Sequence, residues 1–422
     1  MVIHHYMITA SLDSKSRPSR FSAVSARIPC EEHMRQKLGM MRKRSHIVFL
    51  ALMFWAGLLP PISAADRNTW TFRTESVDAS ARFSSLAVDA QGNVHIAFTI
   101  EGDHVKYAFR DVASGKWWST EVDTQASFAS LALDSQGNPH ICYTQRTMRY
   151  AHWNGQVWQK EEISPGAGTI AYYCSVAVSG DQTQTQIPHV TWYQERTPQD
   201  TNYLHIRHAV LQDGQWLAKT IDWDAQTGKW HTMVLDRQGR PHLSFDAYVS
   251  GQLKYAYYDG DRWHIVPVDS RPSSQQPGRG MGNCLILTPQ GQAMISYFEE
   301  GALKYAKQKD DGRWSIETLS SITPSPSWAG YRSVQALDSK GQPHIVYEDA
   351  GALRHIFWNG TNWQAQIIVP TGRFRLRYAS IAISHDDIIY ISYSDPEDGS
   401  LKVSIGRPNT PAAGTADKKS DQ

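Results

Sequence analysis

The sequence predicts an all-β protein, a seven-bladed β-propeller of four-stranded antiparallel blades closed by an N-terminal outer strand. Three observations predict it. One pattern recurs seven times, each copy holds the strands and turns of one sheet, and the strand missing from the last copy stands before the first. Anchored at Ser85, Ser130, Ser175, Thr232, Asn283, Ser333 and Ser380, the copies step by 45, 45, 57, 51, 50 and 47 residues. A period of that size, built from strands throughout, marks a propeller blade.

The elements follow in order along a copy. Strand A ("SLALD" at 130–134) leads into a DxxG turn, where Gly supplies the positive φ and Asp bonds the local backbone. Strand B ("PHICY", 139–143) and strand C ("MRYAHW", 148–153) come next. Strand D brings a Trp in six copies, as in "VWQKEEI" (157–163) and "NWQAQII" (362–368). The seventh copy stops after strand C, "LKVSIG" (401–406). The stretch "NTWTFRTESV" (68–77) matches the absent strand D, Trp included, and pairing it with the last blade would close the ring.

The ends lie outside this pattern. Residues 1–40 are polar and patternless, which makes Met41 the expected start. Residues 41–65 read as a signal peptide: Arg42, Lys43 and Arg44 precede an apolar run from Ile47 to Leu59 and small residues up to Ala65. The run is short for a membrane span, so a secreted or periplasmic protein is expected, membrane-associated only if the segment stays uncleaved. The propeller should occupy 66–407 and a disordered tail 408–422. Residues 1–65 hold 9 of the 42 Lys/Arg and 3 of the 41 Asp/Glu, leaving 66–422 near −5. That balance excludes general attraction to nucleic acid. Cys142, Cys174 and Cys284 show no CxxC or zinc spacing and read as small buried thiols, with a Cys142–Cys174 disulfide as the lesser alternative.

The repeat layout over 68–405 resembles the BNR/sialidase-like propellers, although "LDSQGNPH" places His where their Asp-box has an aromatic. The resemblance implies a class that includes glycosidases, polysaccharide lyases and lectins. No single member's active site matches residue by residue.

Residues recurring in every copy serve the scaffold. The column His95, His140, His189, His242 and His344 therefore reads as inter-blade hydrogen bonding, not a metal set, and the strand-D Trp column as inter-blade packing. No cofactor fingerprint is present and none is expected. Asymmetric positions point to a site. Before strand A runs a collar of Phe83, Phe128, Tyr173, Trp230, Met281, Tyr331 and Tyr378. The next column is small except at His231 and Arg332. Tyr172, Glu195, Asp246, Tyr248 and Arg377 belong to the same rim. Aromatic faces beside cations and carboxylates suit a polyhydroxylated, acidic glycan or a similar extracellular polar ligand. The alternatives are a protein-interaction platform or a carbohydrate-active enzyme. A lyase would use Arg332 to neutralise a uronate and His231 or Tyr173 as base; a hydrolase would draw on Glu195, Asp246, Glu299 or Glu348.

Overall fold

The computed structural model describes residues 70–163, 171–180, 186–194, 204–224, 227–270, 281–299, 301–322, 332–371 and 378–409. The leader, the signal segment and nearly all of the tail lie outside these residues. Twenty-eight strands form seven four-stranded antiparallel sheets. Six blades are built from consecutive strands. In the seventh, the strand Trp70–Asp78 pairs with Leu401–Pro408, in register from Trp70↔Pro408 to Ser76↔Lys402. Strand A of each blade lies beside strand A of the next, and that of blade 7 beside that of blade 1. The ring is closed.

Period-2 strands with both faces apolar have no use in an isolated sheet; stacking gives each face a partner. The core accordingly divides into seven clusters of buried side chains, each shared by two neighbouring blades. The N-terminal strand supplies Trp70 and Phe72 to the cluster between blades 6 and 7. There Trp70 stands edge-on to His344, with ring centroids 5.2 Å apart.

The repeated residues serve the scaffold, with one correction. The strand-B histidines bond within their own blade, not between blades. His95 Nδ1 meets the Tyr107 hydroxyl at 2.7 Å on strand C, and its Nε2 faces Asp89 at 3.3 Å in the preceding turn. His242 repeats this with Tyr255 and Asp236, while His189 and His344 meet His208 and His355. The reason is cross-strand geometry: a strand-B ring reaches its strand-C neighbour before any other blade. The inter-blade step is made by strand-D Trp. Trp158, Trp216, Trp314 and Trp363 each stand edge-on to a strand-C Tyr or its equivalent on the preceding blade, at 5.1–5.4 Å for Tyr150–Trp216 and Tyr255–Trp314. In blades 1, 2 and 4 the unit thus runs from turn Asp through His and Tyr to the next blade's Trp. The turns match expectation: Gly92 has φ 86° and Asp89 Oδ1 accepts the Gln91 and Asn93 amides.

The anchor residues form a belt around the axis. Ser380 Oγ accepts the Leu86 amide, Ser85 Oγ the Leu131 amide, and Ser175 Oγ the Met233 amide, each from the next blade. Ser333 Oγ donates to the Gly282 carbonyl and Thr232 Oγ1 to that of Asn283. Between blades 2 and 3 the link is covalent, because Cys142 and Cys174 form a disulfide. This corrects the expectation of free thiols there; Cys284 alone among the described cysteines is unbonded.

Candidate functional site at the axial mouth

The collar is built by a backbone device. Strand-A registers shift between Ser127 and Ser130, Tyr172 and Cys174, and Thr227 and His231, each an irregularity at the collar residue. A bulge re-aims one side chain without ending the strand. Phe128, Tyr173 and Tyr378 adopt φ of 55°, 45° and 55°, which bulky residues avoid and which costs of order 1–3 kcal/mol each. Their packing offsets it. Tyr378, Phe83, Phe128, Tyr173 and Trp230 form an unbroken arc across blades 7, 1, 2, 3 and 4, with successive centroids 3.9, 4.8, 4.6 and 5.0 Å apart. All five rings keep part of their surface exposed.

At the arc lies a cavity of about 70 Å³ whose lining includes Tyr173, Lys229, His231, Asn283 and Arg332. The structure therefore brings His231 and Arg332 to one place. His231 is 9% exposed and its Nδ1 donates to the Gly228 carbonyl at 2.8 Å. Its Nε2 is buried with no hydrogen bond of normal geometry, and the Thr191 carbonyl also stands against the ring. Burial pushes the ring down to about 4; the Gly228 and Thr191 carbonyls oppose the fall and Arg332 adds to it. The imidazole is neutral at pH 7. Arg332 lies against the Tyr378 ring, its guanidinium carbon 5.9 Å from the centroid. Burial raises the Tyr173 phenol well above its ordinary value, and the neighbouring Tyr378 acts in the same direction while Arg332 opposes it.

Asp246 is not in the lining. It lies under the Trp230 bulge, accepting the Trp230 amide at 2.9 Å, and burial pushes its carboxyl up to about 7. Tyr172 flanks the arc, 5.8 Å from Phe128. Tyr248 is 43% exposed at the end of strand B in blade 4, away from the cavity lining. Glu195, Tyr331 and Arg377 lie outside the described residues. Of the other rim acids, Glu299 pairs with Lys304.

Two features escaped the sequence reading. Every strand C carries a cation at one position: Lys106, Arg149, Arg207, Lys254, Lys304, Arg354 and Lys402. Acids hold most of them, such as Asp222 and Asp224 on Lys254 at 2.8 and 2.5 Å and Asp395 on Lys402 at 2.5 Å. The seven-fold recurrence was the available signal. The second is Trp223, 73% exposed between the two aspartates that clamp Lys254, touching His205 edge-on at 5.2 Å. No other copy has Trp two places after the last strand-D aliphatic, and that asymmetry was legible.

No family model matches the chain, and no curated protein matches it. Among solved structures it is similar to polysaccharide lyase Uly1, with 12% identity, a TM-score of 0.50, and coverage of 78% of this chain and 90% of that one. It is also similar to the lectin AAL of Aleuria aurantia (13%, TM-score 0.49, 70% and 98% covered). A third is the intramolecular trans-sialidase from Ruminococcus gnavus (12%, 0.44, 78% and 95%). The chain has a seven-bladed β-propeller fold. At such identities the likeness is one of fold, and the chemistry of this propeller has to come from its own mouth. Among the described residues no helix is long and apolar enough to cross a membrane.

Proposed function

We propose that this is an exported propeller that binds a polyhydroxylated glycan across the aromatic arc at its axial mouth. The arc itself carries the reading: five rings from five blades, three of them in costly backbone conformations, present partly exposed faces on one side of the ring. Sugar C–H faces stack on such rings, and Tyr hydroxyls and cations bond the hydroxyl rim. Lys229 is exposed beside Trp230. Trp223 and Tyr248, which respectively precede strand Thr227–Leu235 and follow strand Pro241–Ala247, are further exposed aromatic side chains open to a ligand. The fold is one that lectins and a lyase also use.

Lyase chemistry is the second reading, favoured by a neutral His231 beside Arg332 and Tyr173. It ranks second on size. Pockets that enclose a small ligand run to about 300–1,000 Å³, whereas the cavity reaching His231 has about 70 Å³. A sugar ring resting on the arc would not reach the imidazole, and the raised Tyr173 phenol makes a poor base at neutral pH. The test offers the mature chain neutral polysaccharides (β-glucan, xylan, mannan) and acidic ones (alginate, pectin, chondroitin sulfate) in affinity gels, with unsaturated-product absorbance followed in parallel. Retardation without new absorbance is expected; absorbance growing with time would replace binding by elimination, and no retardation by any polymer would remove the proposal.

A further inference from the structure

The lining of the axial cavity carries two cations, Lys229 and Arg332, and among the described residues no carboxylate. Six of the seven blades contribute small or neutral side chains to the Arg332 column, so the guanidinium answers no need of the repeat. No described carboxylate forms an ion pair with it, although the strand-C cations nearby are held by acids or amides. Its one specific contact is the Tyr378 face. A cation set in a partly desolvated place without a counter-charge is expensive. His231 belongs to the same lining and has a buried Nε2 with no hydrogen bond of normal geometry. Asp246 on blade 4 is turned to the Trp230 amide, and Glu348, one position beyond the Ser333↔Tyr347 pair on Arg332's own blade, makes no ion pair with Arg332.

We infer that the axial cavity beneath the aromatic arc is a site for a small monovalent anion of chloride size, held by Arg332. Charge and space set the class. On this measure one water needs about 10–15 Å³, so a cavity of about 70 Å³ accepts a halide with a few waters, and one guanidinium matches one negative charge. The accompanying water would bond the His231 Nε2 lone pair. The ion would neutralise Arg332, which lies against the Tyr378 ring, and so steady that end of the arc. The site does not depend on the glycan reading, because the ion is a resident of the scaffold.

The experiment uses the mature chain and bromide as probe. Crystals soaked in sodium bromide are expected to show one anomalous peak in the cavity, in contact with the Arg332 guanidinium. In solution, the unfolding midpoint should rise saturably in sodium chloride relative to sodium gluconate, a much bulkier anion, at equal ionic strength. Arg332→Gln should raise the half-saturating chloride concentration at least about tenfold, the equivalent of about 1.4 kcal/mol. Should that variant fail to fold, Arg332→Lys keeps the charge and should shift the same curve in the same direction. A cavity without anomalous density, a halide beside Lys229 alone, or identical midpoints in the two salts would each overturn the inference. None of these outcomes touches glycan binding, so the two proposals fail separately.

Discussion

Asp246 is 1% exposed, and burial pushes its carboxyl up to about 7 against the amide of Trp230, its own backbone and Lys229, which all pull it down. A carboxyl whose folded value exceeds its unfolded one binds its proton more tightly when folded. Its contribution is therefore complete below about pH 4 and is lost as the pH rises towards 7. Asp246→Asn keeps an oxygen for the Trp230 amide and removes the charge. We expect that variant to be more stable than the parent at pH 8, by on the order of 2 kcal/mol, and to differ little at pH 4.5. Unfolding midpoints at the two pH values check this; an equal difference at both would contradict it. The buried histidines slope the other way. Burial holds His189 and His231 at about 4, so their contribution is present above pH 6.5 and lost as the pH falls towards 4. At this scale the sequence showed which positions broke the repeat, His231 and Arg332, because the comparison between copies is internal. It did not show that Asp246 supports a bulge, since a bulge leaves no trace in residue type.

Among elements, the N-terminal strand carries the largest single consequence. Trp70–Asp78 completes blade 7, and its Trp70 and Phe72 complete the cluster between blades 6 and 7. Phe72 lies so close to Gly406 that a Cβ there would meet its ring at 2.5 Å. Deleting residues 70–77 opens one of seven junctions and exposes a sheet edge. We expect the unfolding midpoint to fall by at least about 10 °C, against little change on deleting 410–422; equal midpoints by calorimetry would refute the closure. This element was readable because the missing strand D has a Trp signature. The disulfide was not. Three cysteines with no spacing rule leave every pairing open, and only the ring places strand B of blade 2 against strand A of blade 3. The histidine partners were misread for a related reason: a column shared by the blades says that a need recurs, not whether its partner lies across a strand or across a junction. The strand-C cations recur in all seven copies, yet their acids come from different positions, so pattern alone never paired them.

At the scale of the whole molecule, seven junction clusters and a polar belt make a ring whose inner strands meet around the axis. A closed ring leaves its function to the side chains at its mouth, where the repeat is broken by aromatic and cationic residues. The blades were legible down to their turns. The mouth was legible as a set of columns, while the arc needed coordinates, because ring contacts between blades 7, 1, 2, 3 and 4 join residues far apart in sequence. The proposed glycan surface is tested most directly by titration calorimetry with the polysaccharide that the wild-type chain retards most strongly. Trp230→Ala is compared with Trp118→Ala, a 53% exposed Trp on the outer strand of blade 1. Loss of affinity by about tenfold for the first, with the second unchanged and both folded, is the expected result. Full affinity in Trp230→Ala, or an equal loss in Trp118→Ala, would place the ligand elsewhere and contradict the account.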